Sequence, residues 1–356
     1  MCFRLAEMAI YQREYSLKGV FLILMRVLVT GSSGLIGSAL CEKLRDTGHV
    51  PVRLIRHGTT DSEAISREAT DISWDPATGI IDADALEGCD AVVHLAGAGI
   101  GDKRWHEARK QEITNSRIGS THFLATALAK LADPPKVFLS GSAIGIYGET
   151  GDNIVTEEIV TEEDVPLAEG FLANLCQQWE AATAPAAEAG IRTVLLRTGI
   201  VVDSKAPFLK RQLPLFKLGL GGRLGSKSRW ISWISLEDEV AAILWLLEHT
   251  DISGPVNLTA PNPVTNGEFT KTLGKVLRRP TLLPIPKLLP SLLLGRELIN
   301  ALTESTRAIP KALTDHGYPF IHPHIGPALR AATQKFPPTI QTHPTCLLYT
   351  SPSPRD

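Results

Sequence analysis

The hydrophobic run Val27-Leu28-Val29 passes directly into Thr30-Gly31-Ser32-Ser33-Gly34-Leu35-Ile36-Gly37, and a helical pattern follows from Leu35 to Thr47. Glycines at this spacing between a strand and a helix constrain the chain more than any other feature. Gly31 permits a tight turn, Gly34 lets backbone approach a pyrophosphate, and Gly37 lets the helix pack closely on the strand. The helix N-terminus then offers free N–H groups and a positive dipole end to phosphate. The expectation is a dinucleotide site formed by Thr30, Gly31, Ser33, Gly34, Leu35, Ile36 and Gly37. The plainer alternative is a glycine-rich turn with a structural role alone.

Around this loop, short β-branched runs alternate with helical patterns, as in a parallel sheet covered on both faces. Strands are expected at Arg26–Val29, Val52–Ile55, Asp71–Trp74, Ala91–Leu95, Lys136–Ser140 and Thr193–Arg197, with helices at Leu35–Thr47, Arg104–Leu131 and Gly170–Ala189. The fold class is therefore α/β, a Rossmann-type doubly wound parallel sheet. Glycine and proline become frequent around Pro214–Gly225 and Pro284–Pro290, which predicts a smaller C-terminal substrate lobe. The expected division is an N-terminal extension over 1–24, a nucleotide-binding domain over 25–200, a substrate lobe over 201–331 and a disordered tail over 332–356. The tail resembles translated adapter sequence. A signal peptide at Gly19–Met25 is rejected because the run merges into the first strand and falls short of the about 20 residues a membrane span needs.

A net charge of −2 on 356 residues supplies no field for gripping nucleic acid or an anionic membrane, so a small-molecule partner is expected. The oligomeric state is not legible. Five cysteines without a CxxC pair read as reduced thiols in the cytoplasm, with no metal site. An organelle stroma or matrix fits the same cysteines.

NAD-preferring enzymes place an acid after the second strand for the ribose 2′-hydroxyl. Here that strand ends in Leu54-Ile55-Arg56-His57-Gly58, with Arg53 nearby and no acid. A guanidinium suits a 2′-phosphate, which favours NADP(H) and leaves NAD as the alternative. After the fourth major strand, Leu95, Ala96 and Gly97 offer small residues against which a ribose or adenine can lie. His94 beside them reads as a core histidine rather than a catalyst.

The chain resembles the extended short-chain dehydrogenase/reductases, and within them an atypical branch of nucleotide-sugar epimerases. The carriers include Thr30–Gly37, His94–Gly97, Lys103-Arg104-Trp105, Ser116-Arg117, Ser140–Gly148, Trp179-Glu180, Leu196–Gly199, Leu218–Gly222, Ser232–Ser235 with Asp238, and Gly254–Asn257 with Ala260-Pro261. The resemblance implies further cofactor contacts from Ile55, Arg56, Leu95, Ala96, Glu112 and Arg117, with the segment after Gly199 closing over substrate. It also exposes a departure. Members of the family place a Tyr four residues before a Lys, so that the ammonium lowers the phenol pKa for proton transfer. None of this chain's five tyrosines has that lysine, and the corresponding stretch reads Phe171-Leu-Ala-Asn-Leu175. Ser142 matches a substrate-binding serine, and Tyr147 is the available substitute acid or else a packed wall residue. Arg197 holds an anionic substrate or pairs with a carboxylate such as Asp238. The functional expectation is an NADP(H)-dependent oxidoreductase or epimerase acting on a nucleotide sugar or other carbonyl compound. The competing reading is an NADP(H)-binding sensor that acts through a protein partner.

Overall fold

Strand β1 (Arg26–Thr30) lies fully buried from Val27 onward and pairs in parallel with β2 (Val50–Arg56) on one side and β5 (Ala91–His94) on the other. The computed structural model that gives these pairings describes residues 24–56, 71–158, 170–281, 295–301 and 303–333. The expectations for His57-Gly58, for nearly all of the N-terminal extension and for the tail beyond Thr333 lie outside the described residues.

The eight-stranded sheet runs β12-β8-β6-β5-β1-β2-β3-β4, with β3 (Ile72–Asp75), β4 (Ile80–Ile81), β6 (Val137–Ala143), β8 (Arg192–Thr198) and β12 (Gly254–Leu258). Every pairing is parallel except β3 with β4. The chain builds outward from β1 through β2 and β3, then returns and builds the other way from β5, so the strand order reverses between β1 and β5. Ligands of such sheets bind at that reversal, beyond the carboxyl ends of the strands.

Alternate residues feed two apolar layers. Val27, Val29, Val93, Leu139, Leu196 and Val256 pack with Leu40 and Leu44 of α1 (Leu35–Asp46) and with Ile243 and Leu246 of the helix Leu236–Glu248. Leu28, Val52, Leu54, Val92 and Phe138 turn to the opposite face. Strands buried on both faces read as continuous hydrophobic runs, as these do. Each such side chain contributes roughly 1.5–3 kcal/mol by leaving water.

Two long helices expected from the periodicity are each divided. Arg104–Leu131 becomes α2 (Glu107–Thr114) and α3 (Ser120–Leu128), joined by a π turn at Asn115–Gly119. Gly170–Ala189 becomes α4 (Phe171–Ala181) and a short helix at Ala184–Glu188, where Pro185 starts a new turn. The division at residue 200 also needs correction. The helix Leu236–Glu248 and β12 both belong to the nucleotide-binding layer, so the lobe is an excursion from the sheet rather than everything after β8.

The lobe has its own core, in which Leu209, Phe216, Trp233, Phe269 and Leu329 meet. Asp238 ties the C-terminal segment back to the sheet layer. Its carboxylate accepts from the Ser235 hydroxyl and from the backbone N–H groups of Ile321 and His322, at 2.7–2.8 Å.

Candidate functional site

Gly31 adopts φ +66, and a Cβ there would stand 2.6 Å from the Leu95 carbonyl oxygen. Gly37 is buried, and its Cβ would fall 2.2 Å from the Gly31 oxygen. Close contact between α1 and the loop therefore requires glycine at both positions. Helix α1 begins at Gly34 with no side-chain cap and no acid in its first turn. The first N–H groups of a helix have no intrahelical acceptor, so this end presents an uncompensated positive pole beside exposed Ser33 and Gly34. Thr30 has a structural part of its own. It is fully buried, and its hydroxyl accepts from the N–H groups of Leu95 and Ala96 at 3.1 and 3.2 Å, which fixes the β5 terminus beneath the loop.

His94 lies between Thr30, whose Oγ1 is 2.8 Å from Nδ1, and Thr121, whose Oγ1 is 3.0 Å from Nε2. Complete burial lowers its pKa to about 3, so the ring is neutral and structural.

At the end of β2, Ile55 is half-buried and Arg56 is exposed. Arg53 forms a bidentate pair with Asp71, both contacts at 2.8 Å, and the Arg56 guanidinium follows at the exposed end of the strand. Glu112 sits in the same corner. Its carboxyl is held below the usual range mainly by Arg109, 2.6 Å away, with Lys103 and Arg56 adding to the effect. Arg109 is buried and also donates to the Gly99 carbonyl. Arg117, in the π turn, is buried too. It donates to the Ala98 carbonyl at 2.9 Å and lies 5.1 Å from the Trp179 ring, and desolvation lowers its pKa to about 10.

The carboxyl ends of β6, β8 and β12 are in register, with Ser142 opposite Arg197 and Arg197 opposite Asn257. A closed polar network joins them. Ser142 donates to Glu180 Oε1 at 2.6 Å, and Arg197 grips the same carboxylate through Nε at 2.8 Å and Nη2 at 2.9 Å. Arg197 Nη1 donates to the Tyr147 hydroxyl at 2.9 Å, and that hydroxyl donates to Asn257 Oδ1 at 2.8 Å. Burial pushes the Tyr147 pKa up to about 12, although Arg197 pulls it the other way. The geometry commits the phenol's proton to Asn257 and makes Tyr147 a poor proton donor. Burial works against the Arg197 charge, yet its bonds to Glu180 and Tyr147 hold the guanidinium pKa above its ordinary value.

Arg197 is only 2% exposed and pairs with Glu180, not with Asp238, whose acceptors serve Ser235 and the C-terminal segment. Three of its five N–H groups are taken up by Glu180 and Tyr147. Glu180 and Asn257 were missed as site residues. Glu180 is the sole charged residue of α4, and a lone charge on an apolar helix was the available signal. Leu172 and Cys176, the neighbours of Phe171 and Leu175 on α4, lie against the end of β6. A Cβ on Gly145, after β6, would lie 3.7 Å from Leu172 Cβ and 3.8 Å from Cys176 Sγ, so Leu172 and Cys176 face that edge. Phe171 turns away to pack edge-on against Trp105 at 5.0 Å. Beside them a cavity of about 170 Å³ is lined by Trp105, Gly148, Phe171, Leu172, Glu297 and Glu304, among others. Among the described residues no helix is long and apolar enough to cross a membrane.

Comparison with known proteins places these features in a family. The profile of the NAD dependent epimerase/dehydratase family matches residues 27–258, and a domain of unknown function, DUF1731, matches residues 285–332. An epimerase family protein of Mycobacterium leprae is 43% identical over 309 residues, covering 87% of this chain and 96% of the relative. The crystal structure of human epimerase family protein SDR39U1 (isoform 2) with NADPH superposes with a TM-score of 0.76 at 30% identity, covering 88% of this chain and all of that one. A nucleoside-diphosphate sugar epimerase from Corynebacterium glutamicum gives a TM-score of 0.68 at 33% identity, covering 87% of this chain and 58% of that one. With a glycine-rich cradle at the sheet's switch point and a family match across the whole sheet, the chain belongs to the NAD dependent epimerase/dehydratase family, as an atypical extended short-chain dehydrogenase/reductase.

Proposed function

We propose that the chain binds NADP(H) across the switch point and uses it for hydride transfer with a nucleotide-sugar-like or other carbonyl compound, without a Tyr and Lys pair. The uncapped N-terminus of α1 carries this reading. A buried-turn architecture that leaves a helix dipole unanswered fits a pyrophosphate, held by the N–H groups around Ser33, Gly34, Leu35 and Ile36. Arg56 takes the 2′-phosphate, and the backbone of Leu95, Ala96 and Gly97 supports the sugar. The similarity to a human protein crystallised with NADPH supports the cofactor, and the similarity to a nucleoside-diphosphate sugar epimerase supports the substrate class. The bound cofactor supplies the hydride. The chain's own share is to fix Ser142 at the edge of β6 through Glu180 and to exclude water with Trp105 and Phe171.

A second reading, an NADPH-holding protein without turnover, is favoured by the commitment of the Tyr147 proton to Asn257 and of the Ser142 proton to Glu180. NADPH oxidation over a panel of nucleotide sugars and small carbonyl compounds separates the two. The enzyme reading expects slow turnover near neutrality that disappears in Ser142→Ala with Tyr147→Phe while NADPH still binds. Tight binding with no turnover on a broad panel selects the second reading. Unchanged turnover in the double variant removes Ser142 and Tyr147 from the site.

A further inference from the structure

Arg117 is 7% exposed and sits in the π turn between α2 and α3, where the helical hydrogen-bond ladder is locally widened. Such bulges recur at functional sites. Its Nη1 donates to the carbonyl oxygens of Ala98 and Ile113, at 2.9 and 3.4 Å, while its buried Nε has no partner. Among the described residues it makes no ion pair. Neither of the groups that act on its charge is an acid, Cys176 being a thiol and Arg109 a second cation, while Glu180, next to the Trp179 ring it faces, is engaged by Arg197. The guanidinium lies flat beneath Gly97, where a Cβ would stand 3.1–3.3 Å from its Cζ, Nη1 and Nη2. Gly97 itself is exposed at the carboxyl end of β5, on the β6 side of the strand reversal.

A buried cation without a counter-charge is expensive to maintain, and a protein that keeps one leaves a fixed positive field at that spot. A dinucleotide crossing the switch point with its adenosine half toward β2 and Arg56 directs its nicotinamide half toward β5 and β6. The oxidised nicotinamide ring carries a positive charge and the reduced ring carries none. We propose that Arg117 makes this site discriminate between redox states of its cofactor, binding NADPH in preference to NADP+. The inference rests on the NADP(H) reading above and adds a regulation to it: the protein holds the reduced form and releases the oxidised one. Two like charges roughly 8–10 Å apart at an effective dielectric near 20 shift an equilibrium by roughly ten- to thirtyfold.

The test is calorimetric titration of the full chain with NADPH and with NADP+ at one ionic strength, for wild type, Arg117→Met and Arg117→Lys. Wild type is expected to bind NADPH at least tenfold more tightly, equivalent to a rise of about 30 mV in the potential of the bound two-electron couple. Arg117→Met should bring the two affinities within about threefold, and Arg117→Lys should keep most of the difference. Equal affinities in the wild type overturn the proposal without recourse to any variant, so a poorly folding Arg117→Met does not shelter it. Equal weakening of both forms in Arg117→Met also overturns it, because Arg117 would then be reading phosphates common to the two. A wild type that binds neither form overturns the NADP(H) reading itself, and this inference with it.

Discussion

The two ends of the candidate site are built on opposite principles. At β1 and α1 the polar groups point outward and are left unanswered, with a helix N-terminus that has neither a cap nor an acid in its first turn. At β6, β8 and β12 the polar groups are more numerous and chemically more versatile, yet Ser142, Glu180, Arg197, Tyr147 and Asn257 answer one another. The first arrangement leaves its donors open to solvent, whereas the second is largely answered from within. Donors left open at a surface are available to an arriving anion, whereas groups already paired with one another are not.

The largest effect that separates the two ends is expected from Arg197→Met. It strands the Glu180 carboxylate, which is 11% exposed, and breaking a buried pair from one side typically costs about 3–5 kcal/mol. Urea denaturation should show that loss, while NADPH affinity in the folded fraction changes little. A stable Arg197→Met protein would mean the network is less closed than its distances indicate.

The cradle should respond in the opposite sense. A Cβ on Gly34 meets only the Gly31 oxygen at 3.2 Å, and the residue's φ of −74 suits any side chain, so Gly34→Val should fold with a near-normal melting temperature. Its NADPH affinity should fall at least a hundredfold, about 2.7 kcal/mol, because the side chain enters the phosphate space. Gly37→Val, with its Cβ 2.2 Å from the Gly31 oxygen, should lose the fold instead. Binding retained in folded Gly34→Val would dissolve the contrast between the two ends.

Glu239 sharpens the comparison by pH. It is fully buried with a single hydrogen bond from Thr198 at 2.8 Å, and burial raises its pKa from 4.5 to about 8. The unfolded carboxyl ionises above pH 4.5 while the native one stays protonated, so its contribution to stability is largest below pH 4.5 and erodes as the pH rises to about 8. Glu239→Gln should remove that slope. It should stabilise the protein by roughly 3 kcal/mol at pH 7 and change little at pH 4, as read from denaturation midpoints at both values. An unchanged slope would mean the carboxyl is ionised in the native state.

The smallest effect concerns Arg56. NADPH should bind at least tenfold more tightly than NADH, about 1.4 kcal/mol, and Arg56→Asp should reverse most of that preference in a calorimetric titration. Equal affinities in the wild type would move the 2′-phosphate reading away from Arg56.

The loop's geometry was legible in the sequence because the turn at Gly31 and the close packing at Gly37 both lie within Thr30–Gly37, where the spacing encodes them. The edge of β8 was not, because its logic is long-range. Ser142 meets a carboxylate 38 residues away, and Tyr147 meets an amide 110 residues away. Asp238 was a reasonable partner for Arg197 until the fold showed its carboxylate drawn to Ile321 and His322. Strand β12 was hidden by Gly254 and Pro255, residues that argue against a central strand. It is an edge strand, where a missing N–H is tolerated. The break between α2 and α3 was hidden because a π turn preserves helical composition while shifting the register.

The Asp238 carboxylate also sets a limit on how early the protein can mature during synthesis. Two of its donors, the N–H groups of Ile321 and His322, lie 83 and 84 residues downstream, and β14 (Arg307–Ala308) pairs with β7 (Ile154–Val155) across a still longer gap. A nascent chain that has emerged only through β12 has every strand of the main sheet, but of the carboxylate's four donors it holds only Ser235, because Tyr318, Ile321 and His322 have yet to appear. Domains commonly fold in order as they leave the ribosome. Here the last tenth of the described chain supplies contacts to the sheet layer that nothing earlier in the sequence makes.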